Sequence, residues 1–421
     1  MTPITESVAR LAPGRVSFPA VNPAPTVLQV VPALEPGGVS RGTIEVAAAL
    51  VDAGWTALVA SSGGPGVKEL EAVGGRHVTL PLQVKNPFLM WRNAGPLADL
   101  IRRERVDLVH ALSRAPAWSA YWAARRTRRP LVTSFHAIYK EDAFYKRQYN
   151  SVMVRGDRVI AVSGYIGHYI HDHYGLDGDR LRVIERGADL RIYDPSQVAP
   201  ERVEALRQRW QLPEGMPVIS LPGRLTARKG QRVLIEALAS LPHRHFHCLL
   251  IGDEQGRNEY RSSLEEQVAY HGLQDHVTFT GHCADMAAAY LLSNLVISTT
   301  TVPEAFGRVV TEAQAMGCLV IASDHGGPKD TILPGETGWL TPPGNPAALA
   351  AAIVEALALP PTRRTAMVEL ARDRVRTLYS SERMCRDTLQ VYRELLSQPA
   401  PAGRRLPPAP DPAPRPPLAR T

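Results

Sequence analysis

The sequence predicts an α/β protein built from two Rossmann-like, doubly wound domains that face each other across a cleft. Three observations predict it. Short apolar runs alternate with helix-like stretches along most of the chain. The alternation lapses near residue 200 and starts afresh after residue 215. The length, 421 residues, exceeds what one hydrophobic core serves and suits two.

The elements follow in order. Residues 26–31 (TVLQVV) read as a buried strand, with Gly37 and Gly38 behind it and an Ala-rich helical stretch over 42–52. Residues 57–60 form a short strand. The helical PLADLIRRER leads into a strand at 106–110, and LVTSF (131–135) and RVIAV (158–162) continue the series. Strands that alternate with helices imply a parallel sheet covered on both faces. Residues 194–215, with their prolines and charged helix, read as the connection. The second series has strands at 217–221, 246–252, 277–280, 295–298 and 318–322, with helices between them. The predicted domains are therefore 26–200 and 215–380. A helix over 381–398 follows. Residues 1–25 read as a flexible leader. Residues 399–421, with nine prolines and four arginines, read as a disordered tail. In such folds ligands bind at the carboxyl ends of strands, which places the site in the cleft.

Composition narrows the function. Hydrophobic residues make up 44% and charged residues 21%, ordinary for a globular protein. No run of 18 apolar residues occurs, so no membrane-spanning helix is expected. The N-terminus carries no apolar h-region, and the four cysteines are scattered, which predicts reduced thiols in the cytoplasm. The net charge of +7 is uneven. Residues 1–200 hold 24 Lys and Arg against 18 Asp and Glu, whereas the remainder holds 24 against 23. A basic half serves an anionic substrate, an anionic membrane surface or nucleic acid.

Three segments of the second half carry chemistry. Residues 222–230 (PGRLTARKG) lie between a strand and a helix. Such a turn offers backbone N–H groups and the positive end of the helix dipole, and Arg224 and Lys229 add fixed charge. That combination holds a diphosphate; a solvated basic turn is the alternative. Residues 303–313 (PEAFGRVVTEA) place Glu304 in a loop and Glu312 two turns into the following helix. A loop carboxylate accepts hydrogen bonds from sugar hydroxyls, a second one can hold a ribose, and Gly307 lets backbone N–H groups approach a ligand closely. Two surface glutamates are the alternative. Gly326-Gly327-Pro328 forms a further turn at a strand end.

Together these segments resemble the family 4 retaining glycosyltransferases of GT-B fold, over about residues 26–396. Glu304 and Glu312 match that family's Glu, seven residues, Glu motif. Arg224 and Lys229 match its basic turn, Gly37 and Gly38 its paired glycines, and His136 in TSFHAIY its mid-domain histidine. AVSGYI around Ser163 and ERGADL around Asp189 are similar to family segments as well. The resemblance implies a nucleotide-sugar donor and a carbohydrate or lipid-linked acceptor, with no metal ion or other cofactor. It implies that Arg224 and Lys229 bind the diphosphate and Glu312 the ribose. Glu304, Phe306 and Gly307 contact the transferred sugar, with Gly252 beside the donor and His136 near the reacting centre. Gly37 and Gly38 approach from the opposite domain. The leaving phosphate can itself take the acceptor's proton, which leaves Arg224 and Lys229 to stabilise the charge that grows on it. The helix at the C-terminus is expected to cross back onto the first domain. Where the family often has a glutamate after the GG turn, this chain has Asp330.

Other features weigh less. His243, His245 and His247 alternate ahead of a buried strand, but an exposed or edge-strand histidine face is favoured over a metal site. Basic clusters at 102–105, 125–129 and 146–147, with Phe135, Tyr139, Phe144, Tyr145 and Tyr149 near the last, suit peripheral docking on the inner face of a membrane. No nucleic-acid-binding module is recognisable. The rival functions are a nucleotide-sugar epimerase of the same fold and a catalytically silent sugar-binding scaffold. A surface-polysaccharide or lipopolysaccharide transferase is the reading preferred.

Overall fold

In the computed structural model, residues 24–139, 141, 143–256 and 258–397 are described. The expected tail and nearly all of the expected leader lie outside them. Thirteen strands among the described residues form two sheets, and every pairing is parallel. In the first half these are β1 (Thr26–Val30), β2 (Thr56–Ser61), β3 (Arg76–Thr79), β4 (Leu108–Ala111), β5 (Leu131–Phe135), β6 (Arg158–Ala161) and β7 (Leu181–Val183). They lie in the order β3-β2-β1-β4-β5-β6-β7. In the second half β8 (Val218–Pro222), β9 (His247–Ile251), β10 (Val277–Gly281), β11 (Leu295–Ser298), β12 (Leu319–Ser323) and β13 (Trp339–Thr341) lie in the order β10-β9-β8-β11-β12-β13. In both sheets the order reverses beside the first strand of the series, between β1 and β4 and between β8 and β11. Such switch points open a crevice at the strands' carboxyl ends.

The central strands are buried along all or nearly all of their length, because helices cover both faces of each sheet. Each sheet has one apolar cluster on either side. The helix Pro200–Arg209, within the stretch read as a connection, packs on the second sheet, where Leu206, Trp210 and Leu212 join Val218, Leu249 and Ala287.

The chain crosses between the sheets twice. After β7 it passes through Gly187 and Ala188 into the second half. It returns at Tyr379 and Ser380 into the helix Ser381–Ser397, whose Met384, Leu389 and Tyr392 pack beneath the first sheet. There His110 of β4 is hydrogen-bonded to the Tyr392 hydroxyl at 2.6 Å and to Ser134 at 2.7 Å, and burial pushes its pKa down to about 3. The two crossings touch. Ala188 donates its N–H to the Tyr379 carbonyl (2.8 Å) and accepts from Ser381 (2.9 Å).

One histidine expectation changes. His243 and His245 precede β9 and are exposed, whereas His247 starts it and bonds with Thr278 at 2.9 Å. The three therefore do not share a strand face. All four cysteines are buried free thiols.

Candidate active site

The site is assembled at the ends of β8 and β11. The chain leaves β8 at Pro222 and makes a single 3-10 turn, Ala227–Lys229. Gly230 then opens the helix Gln231–Ala239 with φ +73°. A Cβ at Gly230 would stand 1.8 Å from the Thr299 carbonyl oxygen, so only glycine lets this turn lie against the end of β11. The Thr301 N–H donates to the Arg228 carbonyl (2.9 Å), and the Thr299 hydroxyl donates to that of Gly230 (3.1 Å). These contacts bring the basic turn beside the loop that carries Glu304, and Lys229 pairs with Glu304.

The Glu304 loop is held from three sides. Behind it, Gly326 and Gly327 press close. A Cβ on Gly327 would lie 2.3 Å from the Phe306 Cα, and its N–H donates to the Glu304 carbonyl at 2.8 Å. From the opposite domain Ser163 donates to the Ala305 carbonyl at 2.5 Å while capping its own helix, Gly164–Tyr174, at Ile166. Below, the Phe306 ring is buried among Ala188, Ala315, Val375 and Tyr379, so its residue meets the cleft mainly through its backbone. The weak GGP signal of the sequence is thus a wall behind the loop.

Between the domains lies a cleft of 650 Å³. Gly38, His136, Arg224, Lys229, Glu304, Phe306 and Gly307 line it, so the structure brings these seven residues together. Gly37, Gly252 and Glu312 do not line it. Gly37 starts the helix Gly38–Asp52, and Gly252 bridges to Gly281 beyond β9. Glu312 stands behind Arg308, whose Nε donates to it at 3.2 Å, and the Tyr290 hydroxyl donates to its other oxygen at 3.2 Å.

Arg186, Arg228 and Arg308 also line the cleft. Arg186 is buried and Arg308 is largely enclosed. Arg308 reaches across to Glu45 of the helix Gly38–Asp52 at 3.0 Å, and its Nη1 is among the buried polar atoms without a hydrogen-bond partner. Arg186 donates to the Gly38 carbonyl. Burial, then Arg308, lowers its pKa to about 10, which leaves it charged at neutral pH. The cleft wall therefore holds five cationic side chains and one carboxylate. One signal for Arg308 was present in the sequence. It sits at the first position of the helix Arg308–Ala315, where the helix dipole disfavours a cation.

Neither ring nitrogen of His136 has a partner among the described residues. Burial, then the charge of Arg186, holds its pKa well below the usual value. A neutral, unpartnered imidazole on a cleft wall is free to exchange hydrogen bonds with a ligand's hydroxyl. Asp330, left without a role above, accepts the Tyr165 N–H at 2.8 Å at the start of the helix Gly164–Tyr174, and so joins the two domains.

Comparison with known proteins follows the same division into halves. The model of Glycosyltransferase Family 4 matches residues 36–192, and that of Glycosyl transferases group 1 matches residues 202–374. A glycosyltransferase from Rickettsia africae is 39% identical and superposes with a TM-score of 0.84, over 89% of this chain and all of that one. The chain belongs to the group 1, family 4 glycosyltransferases. A second structural neighbour of this glycosyltransferase is Anabaena HepE in complex with UDP and glucose. It is 26% identical, with a TM-score of 0.76 over 87% of this chain and 99% of that one. The D-inositol 3-phosphate glycosyltransferase of Corynebacterium glutamicum is 29% identical over 292 residues, 62% of this chain and 67% of that protein. Both neighbouring structures therefore share the whole two-domain fold with this glycosyltransferase.

Proposed function

We propose that the protein is a retaining glycosyltransferase that needs no metal ion. It moves a sugar from a nucleoside diphosphate sugar onto a carbohydrate or lipid-linked acceptor, in the synthesis of lipopolysaccharide or another surface polysaccharide. The observation that carries this reading is the set of five cations on the cleft wall, against one carboxylate there and Glu45 and Glu312 behind Arg308. A diphosphate brings the negative charge that such a wall lacks, and its bonds to Arg and Lys are each worth about 1.5–3 kcal/mol. Arg224 and Lys229 take the diphosphate and stabilise it as it departs. Glu304 receives the hydroxyls of the transferred sugar, with His136 across the cleft. Glu312 takes the ribose once Arg308 turns from it toward the phosphates. The UDP and glucose bound by HepE support a UDP-sugar as the first donor to try. The cations of the cleft supply the charge that a metal ion would, which supports a reaction without one.

The test is nucleotide release from UDP-, GDP- and ADP-sugars, wild type against Lys229→Ala, with and without EDTA. Slow hydrolysis of one donor, unaffected by EDTA and lost in the variant, is expected. No binding and no release with any donor would leave only a fold in common, and would return the silent scaffold to favour.

We propose further that the protein docks on a membrane surface. No described helix is long and apolar enough to cross one. Phe88, Leu89 and Trp91 at the start of the helix Pro87–Arg103 are nevertheless exposed, and Arg126 sits over the Trp91 ring at 5.9 Å. Apolar and basic side chains on one edge suit peripheral docking on an anionic inner leaflet. Sedimentation with anionic vesicles, weakened by salt and absent with neutral vesicles, is expected. Equal behaviour with both would overturn the docking.

A further inference from the structure

Arg186 lies just beyond β7, at the end of the first domain. Its N–H donates to the Val162 carbonyl at 3.3 Å, and its side chain lines the cleft. The residue is only 7% exposed. Two glycines of the helix Gly38–Asp52 make room for its guanidinium. A Cβ would stand 3.1 Å from Nη1 at Gly38 and 2.4 Å from Nη2 at Gly42. Little holds the group there. It donates to the Gly38 carbonyl, and its Nε has no hydrogen-bond partner among the described residues. Neither Glu45 nor Glu312 pairs with it, since Arg308 holds both, at 3.0 and 3.2 Å. An enclosed cation so placed is stabilised by an anion from outside the chain.

The surroundings favour an anion too. Two helices start here, one from each domain, Gly38–Asp52 and Arg308–Ala315. A Cβ on Gly38 would lie 3.9 Å from the Arg308 Cδ. Each helix brings about half a positive charge to its start. The basic turn is close by. A Cβ on Gly307, next to Arg308, would lie 3.6 Å from a carboxylate oxygen of Glu304, the partner of Lys229.

We propose that Arg186 binds the donor's diphosphate, as the first domain's counterpart to Arg224 and Lys229. The inference rests on the transferase reading and adds a residue and a coupling to it. A guanidinium suits phosphate oxygens because its N–H groups form a rigid fork. Arg224 and Lys229 stand on the second domain, so a diphosphate held by all three ties the halves together. Donor binding and closure of the cleft then become one event.

Titration calorimetry with UDP, GDP and ADP, each beside its monophosphate, tests this. Wild type is expected to bind one diphosphate at least about tenfold tighter than the matching monophosphate. Arg186→Gln should remove most of that margin and leave the monophosphate within about twofold, while Arg186→Lys keeps part of the margin. Gly42→Ala retains the charge but displaces the guanidinium, and should cost the diphosphate about threefold or more. An equal loss for both nucleotides in Arg186→Gln would make the residue structural. That result, an unchanged margin in both Arg186→Gln and Gly42→Ala, or a wild type that prefers no diphosphate overturns the inference. Nucleotide release from a donor sugar beside an unchanged margin in these variants sinks the inference and keeps the transferase reading. Diphosphate binding that depends on Arg186, in a protein that releases nucleotide from no donor sugar, supports the inference and sinks the transferase reading alone.

Discussion

Lys229 and Glu304 hold each other when no donor is bound, and this pairing separates their two proposed roles. Lys229 must leave a carboxylate to reach a phosphate, so replacing the carboxylate removes a competitor. Glu304→Gln is expected to bind the nucleoside diphosphate as tightly as wild type or tighter, while turnover falls about 100-fold or more. Titration calorimetry beside a rate assay checks this, and a parallel loss of binding would place Glu304 on the phosphates instead. Lys229→Ala, by contrast, should lose both. These residues were legible in the sequence because each motif is local, a strand end followed by a few residues at fixed spacing. Arg186 and Glu45 were not, and Arg308 only through its place at a helix start, because their importance comes from meeting across two domains some 120 to 260 positions apart in the chain. That a carboxylate as apt as Glu312 sits behind an arginine was equally invisible, since spacing reports the face of a helix and not what covers it.

Among elements, the strands that the sequence concealed are edge strands. β3 and β7 flank the first sheet and β13 flanks the second. β3 (RHVT) and β7 (LRV) have no fully buried residue, and β13 is three residues long. A strand with one neighbour and an open side needs no long apolar run, so hydrophobic patterning has little to detect. The central strands, buried on both faces, were plain for the opposite reason. Helix starts hold a second concealed feature. At the start of the helix Gly164–Tyr174, Gly164 donates to Glu185 at 3.2 Å, beside Tyr165 on Asp330. Burial first, then the neighbouring Asp330, raises Glu185 to about 7. A carboxyl raised on folding supports the fold below its unfolded value near 4.3, and that support is lost as pH climbs through about 7. Glu185→Gln should therefore leave the melting temperature nearly unchanged at pH 5 and raise it by a few degrees at pH 8. A scan showing equal shifts at both pH values would refute the assignment.

For the whole molecule, the contact that matters most is the largely enclosed chain of charge from Glu45 through Arg308 to Glu312. It spans the cleft, so each domain supplies a carboxylate to a cation that both enclose. Arg308→Leu leaves Glu45 to Arg41, at 3.4 Å, and Glu312 to the Tyr290 hydroxyl, at 3.2 Å, and stripping a buried carboxylate of its cation costs up to about 3–5 kcal/mol. Calorimetry should show a markedly lower transition, partly restored by adding Glu45→Gln. A transition within about a degree of wild type would mean that the two carboxylates find other partners.

The paired crossings at Ala188 and Ser380 have a mechanical consequence. A single tether lets two bodies twist and swing independently, whereas two tethers lying side by side and hydrogen-bonded to each other leave chiefly one freedom, rotation about the line through them. Any opening and closing would thus follow nearly the same path in both directions, and would return the walls that carry His136 and Lys229 to the same alignment. Severing the backbone at one tether would not release either half, because the other still joins them and the helix Ser381–Ser397 stays packed beneath the first sheet. Such a nicked molecule would travel as one particle and come apart only in denaturant, having lost the fidelity of its swing before its integrity.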